Sequence, residues 1–286
     1  MTSARCLIAG GLGDEGALRV GVAFLSQAEQ RAALQASGLK HASAYGLQPA
    51  LCILAGRAAL ARSASKIAAD RRALLTNGGP WAVDAALGFL RTARERGPQF
   101  VNPLVFPATL VSAGPTAAAA VLEARAAAIA VGHDELAFFE QLRRGRQLID
   151  RGVADEVLVV AACGQSRELL EVLKIAERTL PLMDCALAFR LSAQPSGDVT
   201  LIDAIVAAES HPWPEVTSRF CSTVDVQGTI HADIPLPIDG ASVLSAAGAV
   251  VCMAFIEYAG KRGTTRFVVA CRKGGRTGAA LFERAP

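Results

Sequence analysis

The residues with most chemical promise fall between Phe100 and Ala162. An apolar run, Ala126–Val131, leads into Gly132-His133-Asp134-Glu135-Leu136, and a long amphipathic stretch follows. A polar group where a buried strand meets the start of a helix feels the positive end of the helix dipole. That setting activates a nucleophile, or holds a carboxylate beside His133 as a general acid or base with a shifted pKa. It equally suits a plain acidic N-cap, and local chemistry favours that reading for Asp134 and Glu135.

Other motifs carry less. Gly11-Leu12-Gly13-Asp14-Glu15-Gly16 fits GxGxxG after an apolar run. A dinucleotide cradle also needs a helix and then a strand ending in an acid about 20 residues on. Neither follows here, so the glycines read as a turn after the first strand. No GxSxG elbow and no HExxH occurs. The four histidines, His41, His133, His211 and His231, are not spaced as metal ligands. The seven cysteines contain no CxxC and are odd in number, which argues against a zinc site or a disulfide framework. Most lie in apolar runs, as small hydrophobes do, and a reducing cytoplasm suits them. No metal and no cofactor is implied.

The elements that must position these residues read as an alternation of strands and helices. Strands are expected at Cys6–Gly10, Ala73–Asn77, Ala126–Val131, Glu156–Ala161, Ala186–Ser192, Thr200–Val206, Arg266–Ala270 and Gly278–Phe282. Helices are expected at Pro49–Leu60, Ser63–Arg72, Ala82–Arg96, Glu135–Arg151 and Ala241–Tyr258. Continuous apolar strands covered by helices on both faces imply an α/β layered protein. The near-continuously apolar Val243–Ile256 demands cover all round, so a helix layer sandwiched between two sheets is expected. That stretch is too short to span a membrane, which takes about 20 residues. Met1–Gly13 does not read as a secretory signal.

Composition sets the outer limits. The chain has 286 residues, 52% of them hydrophobic and 19% charged, enough to bury a substantial core. A net charge of +3 and 5% aromatic residues argue against a nucleic-acid binder. No low-complexity linker divides it.

The order of several short motifs resembles the β-ketoacyl synthase family of the thiolase superfamily. Asn102-Pro103-Leu104-Val105-Phe106-Pro107 is similar to the segment before that family's active-site helix. Leu148–Val160 (LIDRGVADEVLVV) resembles the helix end and strand that follow its nucleophile. Cys6–Gly13 is similar to the first strand and turn, Ala246-Ala247-Gly248 to the segment carrying a catalytic histidine, and Gly274-Gly275 to the final Gly-rich turn. The resemblance implies a thiolase-like α-β-α-β-α fold, pseudo-duplicated and truncated relative to a full ketosynthase. It implies a single domain over residues 1–286. Residues 1–180 form a half with the pseudo-active-site helix, and residues 181–286 a shortened second half.

The departures from the family bear on function. Counting back from Gly152 and Asp155 places the family's cysteine at Glu135, with His133 and Asp134 the neighbouring alternatives, and none is a cysteine. Ser242 stands where a histidine is expected, and Gly228–Asp233, with His231, echoes the second histidine motif only faintly. The resemblance therefore implies a pseudo-active site of His133, Asp134, Glu135 and Ser242 with no catalytic residue. Such a chain resembles a chain-length factor of type II polyketide systems, most of all the partner subunits of aryl-polyene-type pathways. It would form a cytoplasmic heterodimer with an active ketosynthase and shape the pocket for a polyketide or fatty acyl chain. An acyl carrier protein would be a further partner. Arg143, Arg144, Arg146 and Arg151 are its candidate docking face, a solvated helix surface being the alternative. Two other readings stand beside this one: an enzyme acting on acyl thioesters through Glu135 or Asp134, and a scaffold that binds the carrier protein.

Overall fold

The computed structural model describes residues 5–9, 27–40, 45–61, 66–77, 81–131, 136–164, 185–193, 199–207, 228–233, 252, 266–273 and 276–284. Nine strands are β1 (Arg5–Ala9), β2 (Arg72–Asn77), β3 (Ala127–Val131), β4 (Glu156–Cys163), β5 (Cys185–Ser192), β6 (Val199–Ala207), β7 (Gly228–Asp233), β8 (Arg266–Lys273) and β9 (Arg276–Arg284). The helices are α1 (Gln27–Ser37), α2 (Leu47–Ala61), α3 (Trp81–Arg96), α4 (Ala113–Val121) and α5 (Ala137–Asp150). Short 3-10 turns lie at Ala69–Arg71, Pro98–Phe100 and Pro103–Thr109.

The strands form one nine-stranded sheet in the order β3-β2-β4-β5-β1-β6-β9-β8-β7. In the first half β2 runs parallel to β3 and β4, while β5 runs antiparallel to β4 and β1. In the second half β7 and β8 are parallel, and β9 is antiparallel to both β8 and β6. The run β2-β4-β5-β1 is thus repeated, sense for sense, by β7-β8-β9-β6. Its equivalent end strands, β1 and β6, meet antiparallel through Arg5↔Thr200 and Cys6↔Val199, as a pseudo-twofold between the halves requires.

The layered α-β-α-β-α arrangement expected from the sequence is present, and those two rungs join its two sheet layers into one ladder. The helix layer itself is present: α5 packs on β2, β3, β4 and β5 of one half and on β6 and β9 of the other. Ala241–Tyr258, expected to share that layer, lies outside the described residues apart from Cys252, which is buried in the cluster around α5.

Strand alternation divides the interior in two. Leu75, Val157, Val159, Phe189 and Leu191 face the cluster built on Phe138, Phe139 and Leu142 of α5. Leu74, Leu158, Val160 and Ala188 face Leu51, Ile53 and Ala59 of α2 with Leu122 after α4. Burial on both faces explains why β4 reads as an unbroken apolar run.

Register is set at the other end of β2 and β4 by two consecutive arginines facing two consecutive acids. Arg71 donates to Asp155 through Nε and Nη2 at 3.0 and 2.6 Å. Arg72 Nε donates to Glu156 Oε1 at 2.5 Å, and Arg190 Nε of β5 lies 2.5 Å from Glu156 Oε2. Glu156 is fully buried, and both of its arginines nearly so. These pairings override the helix expected over Ser63–Arg72: among its described residues only the 3-10 turn Ala69–Arg71 is helical, and Arg72 already belongs to β2. Glu156→Ala would leave two guanidinium groups buried without their carboxylate. We expect a loss of about 3–5 kcal/mol in chemical unfolding, with Glu156→Gln intermediate.

Candidate functional site

In open α/β sheets, ligands gather at the carboxyl ends of the parallel strands. In the first half those ends belong to β2, β3 and β4. Backbone pairing of β2 with β4 stops at Thr76↔Val160, and the Asn77 side chain supplies the next rung. Its Nδ2 donates to the Ala162 carbonyl at 2.7 Å, and its Oδ1 accepts from the Ala162 N–H at 2.8 Å. The rim of the site is therefore stitched by a side chain where the strands would otherwise splay.

Strand β3 leads into residues 132–135 and then α5. His133, Asp134, Glu135 and Ser242 all lie outside the described residues. The residue at the N-cap of α5 is Leu136, without a side-chain cap hydrogen bond. Its carbonyl accepts from the Phe139 N–H at 3.0 Å. The first turn of α5 is apolar and buried from Leu136 to Phe139. Phe138 stacks on Phe189 of β5 with ring centroids 4.7 Å apart.

Glycine lets the helix approach both halves of the sheet. A Cβ at Gly145 would stand 2.7 Å from Leu191 Cδ1, and one at Gly278 of β9 would collide with the Phe139 ring.

Three polar side chains near this end of the molecule escape sequence reasoning. Gln141 on α5, Gln48 at the start of α2 and Thr76 before Asn77 are buried, and their side-chain polar atoms have no hydrogen-bond partner among the described residues. Gln48 sits against the end of β4: a Cβ on Gly164 would be 2.8 Å from the Gln48 backbone nitrogen. A single glutamine inside an apolar helix face carries no periodicity or motif, so only burial reveals it. Cys163, the last residue of β4, is buried at the same end, two strand spacings (about 10 Å) from β3. The described part of this rim thus offers neutral amides, a hydroxyl and a buried thiol over an apolar floor. Among the described residues no group of three His, Cys, Asp or Glu side chains is placed to hold a metal ion. No described helix is long and apolar enough to cross a membrane.

The four arginines of the candidate docking face are interleaved with acids. Arg143 donates to both carboxylate oxygens of Glu140 at 2.7 and 2.6 Å, and Arg144 Nε donates to Glu140 Oε1 at 2.7 Å. Arg146 lies 3.3 Å from Asp150 and 3.6 Å from Asp203 of β6, tying α5 to the second half of the sheet. Arg151 is exposed and forms the helix C-cap. Partial burial pushes the Glu140 carboxyl up, but the hydrogen bonds and charges of Arg143 and Arg144 outweigh it and hold Glu140 below the usual carboxylate range. Its stabilising contribution is thus full above the unfolded value of about 4.3 and is lost as pH falls through the lower folded value. Urea unfolding of Glu140→Gln should show lower stability than the parent at neutral pH, the two converging in acid.

No protein-family model matches the chain, and no curated protein matches it in sequence. Solved structures do match in fold. The ishigamide ketosynthase/chain length factor superposes with a TM-score of 0.70 at 16% identity, covering 88% of this chain and 85% of that one. AntDE:AntF, a type II polyketide synthase acyl-carrier protein in complex with its ketosynthase bound to the hexaketide, matches with a TM-score of 0.68 at 13% identity, covering 99% and 100%. The ketosynthase ApeO in complex with its chain length factor ApeC, from Xenorhabdus doucetiae, gives 0.54 at 13% identity, covering 80% of each chain. The chain has the thiolase-like fold of ketosynthases and chain length factors.

Proposed function

We propose that this thiolase-fold chain is a chain-length-factor-like subunit, which pairs with an active β-ketoacyl synthase and helps wall the pocket where the acyl chain grows. The fold neighbours include a chain length factor in complex with its ketosynthase. The observation that carries the reading is the outer edge of β3. Among the described strands this one, Ala-Ala-Ile-Ala-Val, ends the sheet; it holds no charged residue and leaves Ala128 exposed. An uncharged apolar edge is a template for another chain.

Exposed apolar side chains support the same flank. Leu90, Phe100, Phe106, Leu110 and Val111 face solvent, and the Phe106 ring leans on Phe89 at 5.8 Å. Helix α4 packs on both β3 and the Pro103–Thr109 turn, joining patch and edge. Clustered exposed apolar side chains are a feature of protein interfaces and support this reading. In this reading the junction at residues 132–135 is a pseudo-active site facing the partner's working one. A carrier protein delivers the acyl chain to the pair, with Arg144 and Arg151 the docking residues most open to solvent.

The test is co-expression with a candidate ketosynthase that alone carries the tag, followed by size-exclusion chromatography with mass determination. One-to-one co-elution is expected. Ala128→Lys, which sets a charge on the exposed edge, should weaken association by about tenfold or more while leaving the fold intact. A chain that never co-elutes with the synthase, beside a synthase fully active alone, overturns the reading.

A further inference from the structure

Helix α3 carries Leu87, Leu90, Arg91 and Arg94 at i, i+3, i+4 and i+7, so one stripe about two turns long presents leucines beside arginines. With Glu95 they line an open groove of about 540 Å³. Leu90, Arg91 and Arg94 are exposed. At 3.6 residues per turn, Ala85 and Phe89 fall on the opposite side of the helix. That side holds α3 to the molecule: Ala85 is buried, and the Phe89 ring meets Phe106. The stripe is therefore not spent on the fold.

The groove continues the flank described above. Helix α3 packs on the Pro103–Thr109 turn, that turn on α4, and α4 on β3. From Leu87 to Leu122 the charged residues are Arg91, Arg94, Glu95 and Arg96, and β3 adds none. Every charge of this stretch thus falls within the last two turns of α3, three arginines against one glutamate. We infer that the α3 groove selects the partner: it receives a ketosynthase helix whose apolar stripe is flanked by acids, and it turns away a second copy of this chain. This inference rests on the pairing proposed above.

The spacing of the stripe is the one by which a helix lays its anchors into a groove. Two turns take two apolar anchors of the facing helix, packed on Leu87 and Leu90. Acids beside those anchors meet Arg91 and Arg94, whose guanidinium forks bind carboxylates in a bidentate way. A twofold pair of identical chains presents the same patch from both sides. By this flank it would bring arginines toward arginines, with one glutamate on each chain to offset three. Like charges across an interface are costly and suppress the wrong partner. The apolar edge of β3 can pair with any strand, and the groove supplies the discrimination that the edge lacks.

Size-exclusion chromatography with mass determination tests this, on the chain alone and with the tagged ketosynthase, at low and at high salt. Alone, the chain should run as a monomer. The pair should weaken as salt rises. Arg91→Glu combined with Arg94→Glu, both exposed, should keep the parent's thermal melt and raise the Kd for the synthase by about tenfold or more. In that variant added salt should strengthen the pair, because it screens a repulsion. Leu90→Ala should weaken the pair at every salt concentration. Arg31→Glu on α1, a charge reversal away from the groove, should change nothing. A double reversal that binds as tightly as the parent, with Ala128→Lys still breaking the pair, overturns the inference and leaves the pairing intact. A chain that forms a stable homodimer on its own also overturns it. Failure of the parent to co-elute with the synthase overturns the pairing and this inference with it.

Discussion

Helix α5 carries apolar surface on two sides, and a half of the sheet lies against each. Burying both sides at once is what makes the rest of the architecture necessary. A helix can come this close to both halves of the sheet only where side chains vanish, and Gly145 and Gly278 supply those gaps on opposite sides. Phe138 and Phe139 then diverge, one into the first half and one into the second. Where the helix emerges toward solvent, Arg146 continues the link by reaching Asp203 on β6. The candidate site sits at the start of this helix, so its position is inherited from the same packing.

Charge plays two different parts in this frame. On α5 the ion pairs are only partly buried, worth little singly, and they leave the helix a mixed rather than a basic face. At Glu156 the pairs are buried, and desolvation makes them poor sources of net stability. Their use is discrimination. Slipping β2 by one residue against β4 would leave Arg72 and Glu156 mismatched in the interior, an error far costlier than a misplaced apolar residue.

Much of the first half was legible because its strands are buried on both faces and bounded by turn residues. Asn77 followed by Gly78-Gly79, and Gly152 after α5, mark element ends directly in the sequence. The Ser63–Arg72 segment misled because alanine favours helix locally, whereas the pairing of Arg71 and Arg72 with acids more than eighty residues away decided the outcome. Strand β7 was read only as a weak motif, since Gly228-Thr229-Ile230-His231-Ala232-Asp233 has little apolar signal of its own and takes its form from β8. The joining of the halves was not legible at all: two rungs between β1 and β6 leave no periodicity behind. Of the site, the strand-to-helix junction was visible as chemistry, while Gln48, Thr76 and Gln141 are distinguished only by where folding puts them.

The place of β1 in the ladder also governs the order in which the molecule can be completed. It is the earliest of the nine strands to leave the ribosome, yet its neighbours, β5 and β6, are made only after most of the first half. Until they emerge, β2, β3 and β4 can pair among themselves while β1 waits without a place. Such long-range closure is slow and exposes unpaired strand to other chains. The strand that unites the two halves is thus the first synthesised and among the last to be housed.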